Sequence, residues 1–479
     1  MRKLNYAASQ ALQLHTSDSF LSMSPVKDSN GGGKMKIRSC SNIKSFFMIL
    51  LFYTISISNI NTILWQKMFG GNYYDDPSSI VVHPDSGYAV LSSCQQLPNL
   101  ANLWLLRLNN KGDTIWTRQY GDSLKNELPV NLFIIPDGYL LLGTVSGSST
   151  EGSIWLVKCD IRGTKVWEMV YKNRKVHSAL ICKDSSIVIT GQSEKKLFIM
   201  KVARNGDSLF FKTFGDTTVN TFGNAIIETN DSGYAVTGQC KISKSKSYAI
   251  LYTFDPNGDT MWTSRTGSAG GDVANDLFQL SDNSFIIAGS KVPVTSGNPG
   301  PFLQMISSSG KSVWERNLVI DPYAHTIQKL RVLPDKNICA IGTKLKSDGS
   351  DISLLMFSLN GDLLITKNYG NFSGNQSYNY FRDFAISSNE TLVITACTQP
   401  INGGQTLVFA IDNHLDITGR SIQPYLPVAI KNSPNEKKIP VMYNLLGQKF
   451  SSGISTRVPG SLRITKDNTS KVAMTLFFQ

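Results

Sequence analysis

Gly112-Asp-Thr-Ile-Trp116 is the stretch that decides the fold, because a Gly-centred turn followed by a large apolar residue returns about every 50 residues. A period of this length indicates a solenoid, a propeller or another array of repeated units. The other copies are Gly163 to Trp167, Gly206 to Phe210, Gly258 to Trp262, Gly310 to Trp314 and Gly361 to Ile365, and Trp65 opens the series without its glycine. These residues are therefore expected to serve the architecture and not a chemical step.

Two further sequence motifs recur with the same period. One is a turn that leads into a small apolar strand, as in Asp85-Ser-Gly-Tyr88. The other is an apolar run that leads into the Gly turn, as in Leu103-Trp-Leu-Leu-Arg-Leu108. Short segments of this kind, bounded by Gly, Asn, Asp and Ser, are typical of strands. The glycine of each turn can take the positive φ that a short hairpin loop requires.

Each repeat contains four strand candidates, namely the Trp strand, an apolar run such as Ser79 to Val82, the Gly-Tyr strand and the Trp-Leu-Leu strand. Four-stranded antiparallel sheets repeated around an axis are propeller blades. The sequence therefore predicts an all-β protein with a seven-bladed β-propeller over residues 61–421. An N-terminal strand, Ile63 to Phe69, or a C-terminal one, Ile417 to Ile422, can close the ring, and both stay open. An open β-solenoid is the alternative, although its coils are normally shorter than this repeat.

Basic residues are concentrated at the two ends of the chain. The net charge is +12, of which residues 1–60 carry +5 and residues 431–479 carry +6, so the predicted propeller is close to neutral. A nucleic-acid-binding domain is expected to show a basic face on its folded part. The charge distribution therefore predicts no nucleic-acid partner.

The N-terminal region resembles a leader followed by an export signal. Basic residues such as Lys36 and Arg38 precede the apolar run Phe46 to Tyr53, and small residues follow it, which is the pattern of a secretory signal peptide. We assign residues 35–59 to this signal, and residues 1–34 to a disordered leader or a stretch upstream of the true start. The apolar run is short for a membrane span, and a retained membrane anchor is the alternative. A secreted or outer-membrane surface location in a bacterium is expected.

A Pro- and Asn-rich linker, residues 422–440, leads to a C-terminal segment, residues 441–479. The residues that characterise this segment are Tyr443, Leu445, Gly447, Pro459 and Gly460. It resembles the C-terminal sorting tail of the type IX secretion system of Bacteroidota-like bacteria, where a Tyr-Asn-Leu-Leu-Gly-Gln strand precedes a Pro-Gly turn and an apolar strand. Ser461-Leu462 departs from the Val-Tyr or Ile-Tyr pair usual there, and the customary basic finish is missing. The resemblance implies a short β tail that the secretion machinery recognises, and a β-module that merely packs on the propeller is the alternative.

The repeats also resemble a family of secreted bacterial propellers built from Tyr-Gly-Gly, Asp-Gly-Gly-Tyr, Trp-Leu-Lys-Leu-Asp and Gly…Trp phrases. The corresponding pieces are Phe69-Gly-Gly71, Asp231-Ser-Gly-Tyr234, Trp155-Leu-Val-Lys158 and Gly258 to Trp262. The resemblance implies the fold and export. It implies little about function, because propellers carry many unrelated activities.

The sequence predicts no metal, no cofactor and no enzymatic activity. His83, His177, His325 and His414 fall at different phases of the repeat without zinc-site spacing, and each is expected to be a surface or turn histidine. The six cysteines after the signal are expected to be small buried residues without disulfides, because equivalent positions in neighbouring blades are too far apart to be bridged. Asp113, Asp207, Asp259 and Asp362 recur after the turn glycine and are expected to stabilise turns.

A quinone-dependent dehydrogenase is the enzyme alternative, along with other propeller enzymes such as hydrolases or lyases. Asp160-Ile-Arg-Gly163 followed by Trp167 is similar to the blade motif of those dehydrogenases, in which the Trp docks neighbouring blades. The sequence lacks the adjacent cysteine pair and the calcium-binding set that the resemblance would require.

The predicted function is non-catalytic binding on the face of the propeller that carries the longer loops. Successive strands alternate direction, so the tight Gly turns fall at one end and these loops at the other. Function concentrates on loops that a rigid scaffold carries. The expected partner of this monomer is a protein or polysaccharide at the cell surface, stacked on aromatic residues. The candidates are Tyr73, Tyr74, Phe222, Tyr323, Tyr378 and Tyr380.

Overall fold

The computed structural model describes residues 63–412, with gaps, and six short strand segments outside this range. The gaps are 72, 98–99, 123–124, 147–151, 244–245, 268–269, 293–297, 321, 371, 373–377, 389 and 400–403. The chain divides into two compact units, Asn61–Ile422 and a second unit made of Met1–Ile60 with Gln423–Gln479. The linker 422–440 and most of the predicted signal and sorting tail lie outside the described residues.

In the second unit, the described segments pair as three short antiparallel hairpins. They are Met23–Lys27 with Gly33–Ile37, Met442–Tyr443 with Lys449–Phe450, and Leu462–Lys466 with Val472–Leu476. Of the sorting-tail residues, Tyr443 lies in a strand, whereas Leu445, Gly447, Pro459 and Gly460 are outside the described residues.

In the described part of the first unit, 28 strands form seven four-stranded antiparallel blades. Strand β1 is Ile63–Phe69. Blade 1 contains β2 Pro77–Val82, β3 Tyr88–Leu97, β4 Leu100–Leu108 and β5 Thr114–Tyr120. Blade 2 contains β6 Asn126–Ile135, β7 Gly138–Ser146, β8 Ser153–Cys159 and β9 Lys165–Tyr171. Blade 3 contains β10 Lys175–Ile181, β11 Ile187–Ser193, β12 Lys196–Val202 and β13 Ser208–Phe214.

The remaining blades follow the same order. Blade 4 contains β14 Asn220–Glu228, β15 Tyr234–Ser243, β16 Lys246–Phe254 and β17 Thr260–Thr266. Blade 5 contains β18 Val273–Gln279, β19 Phe285–Lys291, β20 Gly300–Ile306 and β21 Ser312–Asn317. Blade 6 contains β22 Ala324–Val332, β23 Ile338–Lys346, β24 Gly349–Phe357 and β25 Leu363–Tyr369. Blade 7 contains β26 Tyr378–Ile386, β27 Leu392–Gln399 and β28 Gln405–Ile411, and β1 is its fourth strand.

The blades are arranged around a central axis. The first strand of each blade contacts the first strand of the next, and the contacts close into a ring from blade 7 back to blade 1. The fourth strands lie at the periphery, where exposed and half-buried side chains alternate, as in β9 and β17. This architecture confirms the predicted seven-bladed β-propeller.

The N-terminal strand closes the ring. β1 pairs antiparallel with β28, with Trp65 opposite Ala410 and Phe69 opposite Thr406. The other candidate, residues 417–422, lies outside the described residues. The sequence left this choice open because each segment begins and ends with a large apolar residue, so either could supply the missing strand.

The hydrophobic core is divided into layers between neighbouring blades. In the described residues, seven clusters of buried side chains each join two consecutive blades. The layer between blades 1 and 2 contains Leu103 and Leu141, and the layer between blades 7 and 1 contains Val90 and Val408. Each sheet is therefore buried on both faces, which explains its near-continuous apolar runs.

The repeated Gly and Trp residues meet where two blades join. Gly163 of blade 2 has a φ of 78°, and a Cβ there would lie 2.9 Å from the Trp116 ring of blade 1. That ring packs edge-on against Tyr139 of blade 2, with 5.7 Å between centroids. The Tyr120 hydroxyl donates to the Gly163 carbonyl at 2.6 Å. The equivalent contacts are Gly112 with Trp65, Gly206 with Met169 and Trp167, Gly258 with Phe210, Gly310 with Trp262, and Gly361 with Trp314.

The connections separate onto two ends of the propeller. The turns between first and second strands, such as His83–Gly87, and between third and fourth strands, such as Asn109–Asp113, form what we call the tight-turn face. The hairpins between second and third strands and the connections between blades form the loop face. The predicted aromatic candidates belong to the loop face.

The predicted environments of the cysteines agree with the structure better than those of the histidines. The six cysteines in the described residues are free, and all but Cys94 are buried, as expected. The expectation of surface or turn histidines is wrong for His325, which is 1% exposed, and for His177, which is partly buried on β10. Both lie on first strands. His177 contacts Gly223 and Phe222 of blade 4, and the His325 N–H donates to the Pro299 carbonyl of blade 5 at 2.8 Å. His83 lies in a turn, and His414 is outside the described residues.

Within the part of the chain that the structure describes, no helix has the length and apolarity needed to cross a membrane.

Candidate functional site at the mouth of the propeller

Every first strand carries a β-bulge at the same position. One residue in each strand is left without a partner on the second strand, and this bends the strand locally. The bulged residues are Ser78, Val130, His177, Asn224, Asn275, Gln328 and Arg382. Because the first strands surround the axis, these residues form a ring, which we call the bulge ring.

Polar members of the bulge ring join one blade to the next. The His177 Nδ1–H donates to the Gly223 carbonyl at 2.9 Å. Asn224 Nδ2 donates in the same way to the carbonyl of Ala274, and Asn275 Nδ2 to that of Ile327, at 2.9 and 2.7 Å. In each pair the acceptor directly precedes the bulged residue of the next blade.

The residue after the bulge makes a second kind of link. The Ala179 N–H donates to Asn131 Oδ1 at 2.9 Å, the Leu330 N–H to Asp276 Oδ2 at 2.9 Å, and the Ile80 N–H to Asp383 Oδ2 at 3.1 Å. Sequence reasoning missed these residues because their types differ from blade to blade. The available signal was a pair of polar residues ahead of the apolar run, as in Arg382-Asp383.

Four of the six predicted aromatic residues precede this ring by an even number of positions. Phe222 and Tyr380 lie two residues before a bulged residue, and Tyr74 and Tyr378 lie four before one. Side chains alternate along a strand, so Phe222, Tyr378 and Tyr380 share the side of the bulged residue on their first strands, whereas Tyr74 lies in the segment that precedes β2. They therefore lie at the mouth of the propeller on the loop face.

The structure brings Tyr74, Tyr378 and Tyr380 together at the junction of blades 7 and 1. Tyr378 is opposite Gln399 in the sheet, and Gln399 Nε2 donates to the Tyr74 hydroxyl at 2.9 Å. The Tyr74 ring lies against Gly404, where a Cβ would be 2.6 Å from it. These three tyrosines, with Arg382 and Asp76, form what we call the tyrosine cluster.

An ion pair fixes the base of the tyrosine cluster. Arg382 donates through Nε and one terminal nitrogen to the two carboxylate oxygens of Asp76, at 2.6 and 2.8 Å. Burial lowers the pKa of Arg382, but the hydrogen bonds to Asp76 outweigh burial and raise this pKa above its usual value. A bidentate pair of this kind fixes orientation as well as charge.

Two tyrosine rings of the cluster lie nearly parallel, and one of them is close to the arginine of this ion pair. The Tyr378 and Tyr380 rings are 6.3 Å apart between centroids and inclined by 15°. Arg382 lies 6.0 Å from the centroid of the Tyr380 ring. Tyr378 is 41% exposed, which leaves its ring accessible to a ligand.

Three ionisable groups at the tyrosine cluster, Cys397, Tyr74 and Asp75, have raised pKa values. Burial raises the pKa of the Cys397 thiol to about 12. Burial, together with Cys397, also raises the pKa of the Tyr74 hydroxyl. Burial raises the pKa of Asp75, whose carboxylate accepts the Gly71 and Gln95 N–H groups at 2.8 and 3.1 Å. Both the thiol and the hydroxyl are therefore protonated at neutral pH.

The other three candidates lie apart from the tyrosine cluster. Phe222 packs edge-on against His177 between blades 3 and 4, with 5.7 Å between centroids. Tyr323, 38% exposed, precedes blade 6, and the Lys344 ammonium lies 5.0 Å from its ring centroid. Tyr73 is 45% exposed ahead of blade 1. The six residues do not make one site.

Comparison with known proteins concerns the fold. No protein-family model and no curated protein sequence matches the chain. The β-propeller domain of the Trilobed protease from Pyrococcus furiosus is similar at 12% identity and a TM-score of 0.41, over 74% of this chain and 95% of that one. The periplasmic gluconolactonase of Pseudomonas aeruginosa is similar at 10% identity and a TM-score of 0.44, over 70% and 94%. A structure of Drosophila Plexin A in complex with Semaphorin 1b is similar at 8% identity and a TM-score of 0.44, over 73% and 87%.

Proposed function

We propose that this protein is an exported bacterial binding module that holds a protein or polysaccharide ligand on its loop face. The observation that carries the proposal is the tyrosine cluster, where the parallel rings of Tyr378 and Tyr380 stand beside an ion-paired arginine. In this proposal the chain works as a monomer, without a cofactor and without catalysing a reaction.

The geometry of the rings favours binding. Tyrosine supplies a large, rigid contact surface at a low cost in conformational entropy. The exposed face of Tyr378 can stack on a sugar ring or a peptide side chain, while the hydroxyl groups reach polar atoms of the ligand. Because Asp76 already pairs with Arg382, the platform is organised before the ligand arrives.

The raised pKa values favour binding over covalent catalysis. A cysteine acts as a nucleophile through its thiolate, which burial disfavours for Cys397. Tyr74 likewise keeps its proton at neutral pH. The groups that surround the rings therefore serve as hydrogen-bonding and packing partners in this proposal.

Replacing both rings, of which Tyr378 is exposed and Tyr380 is half-buried, tests the proposal. The variant Tyr378→Ala/Tyr380→Ala is expected to weaken binding at least tenfold, because buried aromatic anchors dominate binding energies. Ligands are first identified on glycan and peptide arrays, and affinity is then measured by calorimetry. The matched control is Leu209→Ala/Met261→Ala, two side chains 57% and 58% exposed on peripheral strands. An array without a ligand, or an equal loss in both variants, would contradict the proposal.

Export is the part of the proposal that rests on the two ends of the chain. It is supported by the signal-like residues 35–59 and by the tail that resembles a sorting domain. Mass spectrometry of the exported protein is expected to place its N-terminus near residue 60. A chain that stops at residue 440 is expected to remain in the cells. Peptides from residues 3–34 in the exported protein would contradict the assignment.

A further inference from the structure

A group of basic side chains covers the loop face of blades 3 and 4. They come from the connection ahead of blade 3, from the hairpin between β11 and β12, and from the hairpin between β15 and β16. All seven are exposed or half-buried. We call them the basic cluster: Lys172, Arg174, Lys175, Lys195, Lys196, Lys241 and Lys246.

Hydrogen bonds hold the three segments of the basic cluster side by side. The Ser193 hydroxyl donates to the Asn173 carbonyl at 3.3 Å, which joins the first segment to the hairpin of blade 3. The Thr221 N–H donates to the Lys195 carbonyl at 2.7 Å, which joins this hairpin to β14 of blade 4. The residue before Thr221 pairs with Lys241 in the sheet. The cations therefore lie on one contiguous surface.

The charges of the basic cluster are not neutralised by ion pairs. Among the described residues, none of the seven side chains lies within ion-pair distance of a carboxylate. Elsewhere on the propeller several basic side chains form ion pairs, as Lys201 does with Asp184 and Lys212 with Asp259, at 2.9 and 2.6 Å. The surface of blades 3 and 4 is thus positive although the whole propeller is close to neutral.

Few acidic residues accompany the basic cluster. Glu194 lies in the hairpin of blade 3 and Asp216 in the connection to blade 4. The Thr218 N–H, with help from Lys196, holds the pKa of Asp216 below its usual value, so this carboxylate is ionised and partly satisfied. Among the described residues of these segments, two acids against seven bases leave a strong local excess of positive charge.

The residue types suit a flexible, sequence-independent anion. Lysine is a point charge on a flexible stem, whereas arginine is preferred for bidentate recognition of phosphate. The one arginine, Arg174, places its guanidinium 4.0 Å from the centroid of the Phe211 ring. The Phe222 ring nearby already packs edge-on against His177. Ile242, 47% exposed between the lysines, can instead cover the apolar face of a sugar ring.

We propose that the basic cluster binds an acidic polysaccharide through its carboxylate or sulfate groups. This inference rests on the proposed function, since it takes the loop face as the binding surface and names a ligand class for it. The basic cluster lies three blades from the tyrosine cluster around the ring. A polymer on the loop face can therefore contact cations on one side of the axis and tyrosine rings on the other.

The probes are polygalacturonate, dextran sulfate and neutral dextran, with the full chain as the binding protein. Binding of at least one polyanion is expected, with little binding of neutral dextran to the basic cluster. Polygalacturonate carries carboxylates and dextran sulfate carries sulfates, so comparing their affinities shows which of the two groups is recognised. Affinity is expected to fall as salt rises, because binding releases counterions from the polymer.

Removing four lysines tests the site. The variant Lys195→Gln/Lys196→Gln/Lys241→Gln/Lys246→Gln is expected to lose at least tenfold in affinity and to show a shallower salt dependence. The matched control removes the same charge from the tight-turn face. It is Lys111→Gln/Lys183→Gln/Lys311→Gln/Lys336→Gln, in which Lys336 shares with Lys195 a φ in the left-handed region. Thermal unfolding checks that both variants are folded.

Several outcomes would overturn the inference. They are the absence of polyanion binding, an equal loss of affinity in both lysine variants, or a preference for single-stranded DNA or polyglutamate through the same lysines. The variant Tyr378→Ala/Tyr380→Ala separates this inference from the proposed function. If array ligands still depend on the tyrosines while polyanions fail to bind, the inference fails and the proposed function stands.

Discussion

At the scale of the residue, His177 shows how the fold alters an ionisable group. It occupies in blade 3 the bulge position that Asn224 and Asn275 occupy in the next two blades. Burial, with Lys175 nearby, lowers the pKa of His177 to about 4, although its bond to the Gly223 carbonyl opposes this. In the unfolded chain the pKa is near the ordinary value of 6.5. The unfolded state therefore binds the proton more tightly, and stability is lost as the pH falls from about 6.5 to about 4.

The variant His177→Asn tests this ionisation. Asparagine donates to the equivalent carbonyl in blades 4 and 5, so the inter-blade hydrogen bond is expected to survive. The free energy of unfolding of the parent protein is expected to fall, relative to the variant, by up to about 3 kcal/mol between pH 7 and pH 4. Urea unfolding at several pH values measures the difference in unfolding free energy between the parent and the variant. The contributions of the other titrating groups cancel because both proteins contain them. Parallel pH profiles for the two proteins would show that His177 does not carry the effect.

At the scale of the element, the turn glycines couple each blade to its neighbour. The variant Gly163→Ala places a methyl group at a φ of 78° and 2.9 Å from the Trp116 ring. Left-handed backbone costs about 1–2 kcal/mol for a residue with a Cβ, and the ring must also move. A loss of about 2 kcal/mol in the free energy of unfolding is expected in urea. Gly71→Ala, which meets no heavy atom within 4 Å, is the control and is expected to change it by less than about 0.5 kcal/mol.

The strands of the blades were predictable because the same structural requirement in each blade is met by the same type of residue. A turn at positive φ under a ring needs glycine, as at Gly163, and the ring itself is Trp or Phe in successive blades. The bulge ring was not predictable in the same way. Val130, His177 and Arg382 share one backbone position, but each meets its neighbour with different chemistry. The sequence therefore has no residue type that recurs at the bulge position. Only the pairing register of the first and second strands identifies that position.

At the scale of the whole molecule, ring closure builds the candidate site. Tyr74 and Tyr378 are far apart in sequence and meet because blade 7 returns to blade 1. The Asp75 N–H donates to the Gly404 carbonyl at 2.8 Å across the same junction. Sequence reasoning assigned these tyrosines to the end of the propeller opposite the tight Gly turns, from the alternation of strand directions. The sequence did not show that Tyr74 and Tyr378 are neighbours, because the strand that closes the ring was undecided. The six candidates were therefore spread around the whole loop face.

Removal of the closing strand tests this account of the whole molecule. A chain that begins at residue 70 lacks β1, so the core between blades 7 and 1 loses Trp65 and Phe69, and β28 becomes an open edge. Its Tm is expected to fall by several degrees, with faster hydrogen exchange in β26–β28 and weaker binding at the tyrosine cluster. A chain that begins at residue 62 keeps β1 and is the control.

A synthetic peptide of residues 62–70 completes the test. Added to the shortened chain, it is expected to pair with β28 as a supplied fourth strand and to raise the Tm in proportion to its concentration. A scrambled peptide of the same composition controls for non-specific binding. If the shortened and control chains unfold at the same temperature, closure by β1 does not stabilise the ring. The tyrosine cluster would then have to be held by the remaining contacts across the junction, which include Arg382 with Asp76, Gln399 with Tyr74, and Asp75 with Gly404.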